Sequence, residues 1–212
     1  MTWPDGDYFD IVPLTKGRWG LVMADVAGHG VSGTVIMAVM RALVHAHLPH
    51  ARYLPANAFL EFINEQMTGA YTANGRFVTA WAAVLDPRAS RITYACAGHD
   101  PPRLVRDGAV IALDAVGGLP LGIDDFAEYQ EVTVSLNSGD LLVIYTDGIT
   151  EAMSNQPGER ECFSTERLDQ VLVEARCDSA QSCVQRVTTA VTAFTGSHIP
   201  TDDQTMLVLR VD

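Results

Sequence analysis

The chain has 212 residues, of which 48% are hydrophobic, 8% aromatic and 19% charged, and this composition is that of an ordinary globular protein. Twenty-six acidic residues against fourteen basic ones give a net charge of −12, which argues against a nucleic-acid-binding function. No stretch reaches the roughly 18 consecutive apolar residues of a membrane-spanning helix. Since the first ten residues also lack a signal-peptide pattern, we expect a cytoplasmic protein.

The four cysteines give no sign of a metal or redox site. Cys96, Cys162, Cys177 and Cys183 include no Cys-x-x-Cys pair, the spacing typical of zinc sites and thioredoxin-like motifs. Thiols stay reduced in a cytoplasmic protein. We therefore expect the cysteines to be small core or surface residues.

The first third of the chain predicts a β-hairpin followed by two helices. Residues 8–14 and 18–24 are strand-like and flank a short turn, which is a hairpin pattern. A helix is predicted over 31–48 and ended by Pro49. Its apolar residues occupy most of the circumference, so we expect it to be buried or to meet a partner. A second helix is predicted to begin near Pro55. Its apolar stripe consists of Phe59, Ile63 and Met67.

The remainder predicts a run of strands, two further helices and a last strand. The predicted strands cover residues 77–85, 91–97, 101–105, 109–113, 132–134, 141–145 and 206–211. The two helices are centred on residues 168–175 and 183–194, and Asp178 with Gln181 predicts a capping box for the second. Because strands cluster and helices cluster, the pattern predicts an α+β fold. Its sheet should be mainly antiparallel, with helix pairs on the outside.

Four aspartates stand at the ends of predicted strands. Asp25 and Asp147 follow apolar strands, whereas Asp7 and Asp202 precede strands. A single aspartate at such a position is usually a turn residue. Four converging carboxylates would cost several kcal/mol unless a divalent cation compensates them. Oxygen ligands favour magnesium or manganese, and two such ions form the clamp that hydrolyses phosphate esters. These residues therefore indicate a metal-dependent phosphoryl hydrolase.

Six sequence strings point to a known family. They are GDYFDIVPL (6–14), ADVAGHGVSG (24–33), YACAGHDPP (94–102), GLPLGI (118–123), GDLLVIYTDGITEA (139–152) and DDQTMLVLRV (202–211). Their order and spacing resemble those of the metal-dependent serine/threonine protein phosphatases (PPM class), in the bacterial SpoIIE/RsbU-like branch. Each string alone is weak, but the six together cover nearly the whole chain.

The resemblance implies a four-layer αββα fold, a central β-sandwich flanked by helix pairs, with a site for two Mn²⁺ or Mg²⁺ ions. Asp25 resembles the carboxylate that bridges the metals, and the backbone carbonyl of Val26 resembles a further ligand. Asp7 resembles a ligand of the second metal. Asp147 and Asp202 resemble the remaining ligands of the first metal. Of these residues, Asp7, Asp25 and Asp147 are the expected catalytic set. The resemblance implies that Asp10 either has a structural role or supports a metal ligand without binding the metal itself, and it prefers Asp202 to the neighbouring Asp203.

Residues 1–212 are expected to form a single SpoIIE/RsbU-like phosphatase domain that lacks the family's first strand and its upstream sensor domains. Asp5 stands where the family has a second glycine before the first acidic motif. Residues 1–6 also contain no arginine or lysine, so the metals would have to bind most of the phosphate.

The function that these features imply is hydrolysis of phosphoserine or phosphothreonine on a regulatory protein, of the anti-sigma-factor antagonist type, by a metal-bound hydroxide. The main alternative is a non-catalytic regulatory module that retains the fold, and a calcium-binding structural domain is another. Because all the expected acids are present, catalysis is favoured. The helix over 31–48, with Val39 and Met40 expected on its outward face, predicts contact with an upstream sensor domain, another partner or a second copy in a homodimer.

Overall fold

The computed structural model describes residues 6–28, 31–48, 55–68, 75–154, 161–175, 179–196, 200 and 202–212. In chain order its strands are β1 (Asp7–Pro13), β2 (Trp19–Val26), β3 (Val78–Asp86), β4 (Arg91–Ala97), β5 (Arg103–Arg106), β6 (Ala109–Ala112), β7 (Glu131–Ser135), β8 (Leu141–Tyr145) and β9 (Met206–Arg210). Its α-helices are α1 (Val31–His47), α2 (Ala56–Met67), α3 (Asp147–Thr150), α4 (Ser164–Ala175) and α5 (Ala180–Thr195). None of the described helices has the length and apolar character needed to cross a membrane. Asp5, Pro49, Cys177 and Asp178, which entered the predictions above, lie outside the described residues.

Residues 1–99 and 114–136 form one unit, whose described part contains a five-stranded antiparallel sheet. The strand order is β1-β2-β3-β4-β7, and every adjacent pair is antiparallel. The two predicted hairpins of this region are the β1–β2 and β3–β4 pairs. Along β1 the side chains alternate, since Tyr8 and Val12 are buried while Phe9 and Ile11 are substantially exposed.

Helices α1 and α2 cover one face of this sheet. Ile36, Met40 and Val44 of α1 recur every four residues and are buried together with Tyr8 and Val12 of β1. The same core includes the predicted stripe of α2, formed by Phe59, Ile63 and Met67. Burial of such a stripe, at roughly 25 cal/mol per Å² of apolar surface, is what holds an amphipathic helix on a sheet.

The orientation of α1 corrects one expectation. Met40 is fully buried, so placing it on the outward face was wrong, and Val39 is half-buried. Val35 is the large apolar side chain that α1 exposes within its described part, at 52%. The apolar residues of α1 therefore form an ordinary core-facing stripe, and the surface available to a partner is smaller than the sequence suggested.

Residues 100–113 and 137–212 form the second unit, whose described part contains an antiparallel sheet in the order β6-β5-β8-β9. All five residues of β8 are buried, as the continuous apolar run predicts. Leu141, Val143 and Tyr145 of β8 share a core with the apolar stripes of α4 and α5. This unit thus also pairs a sheet with two helices, in agreement with the predicted grouping of elements.

The capping of α5 differs from the prediction. Ser179, not Asp178, is the N-cap residue, and its hydroxyl accepts a hydrogen bond from the Ser182 backbone N–H at 3.1 Å. The Ser182 hydroxyl in turn accepts from the Ser179 backbone N–H at 3.2 Å. The capping box is therefore shifted by one residue, because Ser179 is the residue with extended backbone immediately before the first helical turn.

Candidate metal centre

The β1–β2 hairpin brings the first two predicted ligands together. Asp7 and Asp25 are directly opposite each other in the antiparallel ladder. Side chains at opposite positions project from the same face of a sheet, with Cβ atoms about 5 Å apart. Asp7 is only 4% exposed. The apolar run of β2 is buried in the sheet and leaves Asp25 at its end.

Gly6, immediately before β1, keeps open a small space bordered by two oxygen atoms. A methyl group added at Gly6 would lie 3.2 Å from Asp25 Oδ1 and 3.2 Å from the Val26 carbonyl oxygen. The hairpin is closed at this end by the Val26 N–H, which donates to the Gly6 carbonyl at 3.2 Å. Asp25 and the Val26 carbonyl, both predicted as ligands, therefore border one small space that any side chain at Gly6 would partly fill.

The second unit brings Asp147 and Asp202 close to each other. Asp147 begins the short helix α3, separated from β8 by Thr146, and Asp202 lies four residues before the start of β9, the strand beside β8. A methyl group added at Gly148 would overlap the Asp203 carbonyl oxygen and lie 3.6 Å from Asp202 Cβ. The Gln204 side-chain amide also donates to the Gly148 carbonyl at 3.0 Å. The two segments are therefore in direct contact, which the sequence spacing alone could not show.

These residues fit a hard divalent cation by their chemistry. The predicted ligands are carboxylate and carbonyl oxygens, which suit Mg²⁺ and Mn²⁺ better than zinc. Among the residues that the structure describes, no three His, Cys, Asp or Glu side chains are grouped so that they could hold a metal. The fit therefore depends on the Asp7–Asp25 pair with its glycine-lined space and, separately, on the Asp147–Asp202 pair.

Asp10 has contacts consistent with the structural role expected for it. Three residues beyond Asp7, it projects from the opposite face of β1. Its carboxylate accepts a hydrogen bond from the Tyr8 hydroxyl at 2.9 Å, forms an ion pair with Arg41 at 3.3 Å and forms a hydrogen bond with His45 Nε2 at 2.5 Å. Arg41 and His45 belong to α1, so Asp10 ties this helix to the strand that carries Asp7.

One acidic residue near the second pair was not selected from the sequence. Asp100 is half-buried, and its Oδ2 lies 3.5 Å from the Thr150 hydroxyl oxygen of α3. Burial raises the pKa of Asp100, and it outweighs the opposing effects of Arg103 and the Thr150 hydroxyl. A clue was present in the sequence, because an acid directly before two prolines after an apolar strand is unlike a solvated turn.

Residues 15–212 match the family model described as Stage II sporulation protein E (SpoIIE). The chain belongs to the SpoIIE family. The phosphoserine phosphatase RsbU of Bacillus subtilis (strain 168) is 28% identical over 209 residues, which are 97% of this chain and 59% of RsbU.

Two solved structures show how far the likeness extends in three dimensions. The RsbU and RsbW domains of a Mycobacterium tuberculosis protein have 26% identity and a TM-score of 0.77, covering 98% of this chain and 56% of that one. The SiaA PP2C domain of Pseudomonas aeruginosa has 22% identity and a TM-score of 0.81, covering 98% of this chain and 81% of that one.

These comparisons confirm the predicted family and fold class, an α+β phosphatase fold of the PP2C (PPM) type. They also confirm the predicted enzyme class at the level of the SpoIIE family, since the relative RsbU is named a phosphoserine phosphatase. The chain spans 59% of the length of RsbU.

Proposed function

We propose that this chain is a metal-dependent phosphatase domain that hydrolyses phosphoserine or phosphothreonine on a regulatory protein. The observation that carries the proposal is the space beside Gly6, bordered by Asp25 Oδ1 and the Val26 carbonyl oxygen and close to the buried Asp7. Membership of the SpoIIE family and the name of its relative RsbU support the same reaction. The proposal includes that residues 1–212 form a single phosphatase domain and that this domain works in the cytoplasm.

The proposed ligands of two Mn²⁺ or Mg²⁺ ions include Asp7, Asp25 and the Val26 carbonyl, which the β1–β2 hairpin holds together. By resemblance to the family, Asp147 and Asp202 would supply further carboxylates. When bound, such ions lower the pKa of a bound water molecule and offset the negative charge on the phosphoryl oxygens.

The protein's own contribution would be to hold these oxygen atoms in place before the ions bind. The β1–β2 ladder fixes Asp7 opposite Asp25, and Gly6 keeps the adjacent space open. The contact of Gly148 with Asp203 fixes residues 147–150 of α3, called here the Asp147 turn, against the segment that carries Asp202. Rigid placement of carboxylates is favourable for catalysis, because little reorganisation is left for the reaction itself.

Activity is tested by hydrolysis of p-nitrophenyl phosphate and of a phosphoserine protein with manganese, magnesium, calcium or a chelator. We expect hydrolysis with manganese or magnesium, and a loss of at least about 100-fold in Asp25→Asn and Asp147→Asn. Asp125→Asn, at an exposed aspartate outside the predicted ligand set, is the matched control and should keep the parent activity. Hydrolysis that persists in chelator or in both ligand variants would exclude the proposed site. Calcium binding without hydrolysis would instead favour a structural domain, and no hydrolysis with any metal would favour a non-catalytic module.

We further propose that α1 is the element on which an upstream sensor domain or another partner acts. The helix packs on β1 through Ile36 and Met40, and its residues Arg41 and His45 bind Asp10. A shift of α1 would therefore pull on the strand that begins with Asp7.

The exposed side chain of Val35 offers a test of this role. Val35→Asp should change manganese affinity or self-association, whereas Ala46→Asp, exposed near the other end of the helix, serves as control. A change in self-association would indicate a homodimer. If Val35→Asp folds and behaves as the parent in both measurements, α1 is a core helix without a regulatory role.

A further inference from the structure

Asp100 is held on a well-anchored segment of the second unit. It is followed by two prolines, whose rings restrict the backbone, and then by β5. Arg103 is almost completely buried, and its guanidinium donates to the Pro101 carbonyl at 2.7 Å and to Asp169 of α4 at 2.9 Å. The Asp100 backbone is therefore held in place by its connection to β5 and by the hydrogen bonds that Arg103 makes to Pro101 and to α4.

The Thr150 hydroxyl lies between Asp100 and the Asp147 turn. Its oxygen is 3.2 Å from the Asp147 carbonyl oxygen and 3.5 Å from Asp100 Oδ2. A hydroxyl has one proton to donate but can also accept. The carbonyl oxygen can only accept, so if Thr150 donates to Asp147, a hydrogen bond between Thr150 and Asp100 requires a proton on Asp100.

We propose that Asp100 is a positioning residue for Asp147: its protonated carboxyl donates to the Thr150 hydroxyl, which in turn donates to the Asp147 carbonyl. This inference rests on the proposed function, because Asp147 matters as a metal ligand there. When Asp100 is ionised, its carboxylate competes for the single Thr150 proton. The Asp147 turn then loses one of its bonds and keeps the Glu151 N–H, which donates to the same carbonyl at 2.7 Å.

The surroundings of Asp100 favour the protonated form. Burial raises its pKa, although Arg103 and the Thr150 hydroxyl oppose this effect. Arg103, a cation that interacts with Asp100, also pairs with Asp169. Tyr145, a titratable group that interacts with Asp100 too, has a pKa raised to about 12 by burial and is neutral at ordinary pH.

The test compares four variants of the full chain with the parent. Asp100→Asn keeps a donor but cannot ionise, whereas Asp100→Leu and Thr150→Val remove the relay with little change in volume. Thr150→Ser restores the hydroxyl, and Asp107→Asn, at an exposed hairpin turn in the same unit, is the control. Two quantities are measured: manganese affinity by calorimetry from about pH 5 to about pH 8, and hydrogen exchange of the Glu151 amide in the metal-free protein.

We expect Asp100→Leu and Thr150→Val to weaken manganese binding and to speed Glu151 exchange by about three- to tenfold, the effect of one hydrogen bond. Asp100→Asn, Thr150→Ser and the control should match the parent at low pH. As pH rises through the raised pKa of Asp100, the parent should fall behind Asp100→Asn in affinity, because only the parent ionises.

Other results overturn the proposal in defined ways. Unchanged Glu151 exchange in both Asp100→Leu and Thr150→Val would show that no relay holds the turn. If Asp100→Asn and Asp100→Leu weaken manganese binding equally, the ionised carboxylate of Asp100, and not its protonated form, is what positions Asp147. If the parent binds no manganese but Glu151 exchange responds as expected, the relay stands and the proposed function is what fails.

Discussion

Adding one methyl group at Gly6 tests whether the space beside Asp25 serves a ligand role. In Gly6→Ala the new Cβ would lie 3.2 Å from both Asp25 Oδ1 and the Val26 carbonyl oxygen, so each must move by a few tenths of an ångström. The Gly6 backbone is outside the left-handed region, so alanine itself introduces no strain there. A carboxylate engaged with an ion is held more firmly than the same carboxylate in the metal-free protein, so we expect most of the cost to fall on the ion-bound form.

The expected magnitude follows from this difference. Overpacking of a well-packed site costs about 1–3 kcal/mol. If most of that cost falls on the ion-bound form, manganese affinity should drop by about 5- to 150-fold. The metal-free protein should change little in stability, since replacing glycine with alanine at a compatible backbone position contributes about 0.4–1 kcal/mol through the unfolded state.

The measurement is calorimetric titration with manganese, combined with thermal unfolding in chelator. Gly117→Ala is the matched control, because a methyl group there meets no atom within 4 Å and its backbone is also compatible with alanine. A Gly6→Ala variant that unfolds at the parent's temperature and binds manganese as tightly as the parent would refute the ligand role of this space.

Three further predictions concern the ion pair of Asp140 with Arg106, the contact of Gly118 with Tyr129, and the cysteine thiols. Asp140→Asn should destabilise the protein by about 3 kcal/mol at pH 7 in urea unfolding, because Asp140 is 2% exposed and both its oxygens bind Arg106, at 3.0 and 2.6 Å. Burial raises the pKa of Asp140, but hydrogen bonds from Arg106 and a backbone N–H outweigh this effect and lower the pKa. The parent should therefore exceed Asp140→Asn in stability by the full amount above about pH 4, and this difference should shrink as the pH falls further. A stability difference that does not change with pH would contradict this reasoning. Gly118→Ala should lower the free energy of unfolding by about 2–3 kcal/mol in the same assay, because a methyl group there would lie 2.8 Å from the Tyr129 ring. The Gly117→Ala control should unfold as the parent does, and equal stability of the two variants would contradict the prediction. A variant with all four cysteines replaced by serine should lose stability yet keep its hydrolysis rate within about threefold, since the proposed reaction uses no thiol nucleophile. A well-folded but inactive variant would point to another mechanism.

Local periodicity was sufficient to predict most elements. The β1–β2 hairpin, the stripe of α2 and the buried run of β8 follow from alternation or helical spacing, and the structure has all three. Six ordered strings were also enough for the family, which the family model confirms. Errors arose where two adjacent residues compete for one role. The cap of α5 falls on Ser179 and not on Asp178, because either residue type can cap a helix and only the backbone conformation decides between them.

What the sequence determined by itself is the set of oxygen-bearing residues at strand ends, because strand boundaries and acid positions are local properties of the chain. Only tertiary structure decided which of these residues meet. The register of β1 with β2 pairs Asp7 with Asp25, and contact between Gly148 and Asp203 joins two segments more than fifty residues apart in sequence, a separation of roughly 180 Å if the chain were fully extended. Likewise, the burial of Met40 and the meeting of Asp100 with Thr150 depend on which face each element turns to its neighbours. Such contacts are set by packing over the whole core and by strand register, and neither is encoded in the spacing of any single segment.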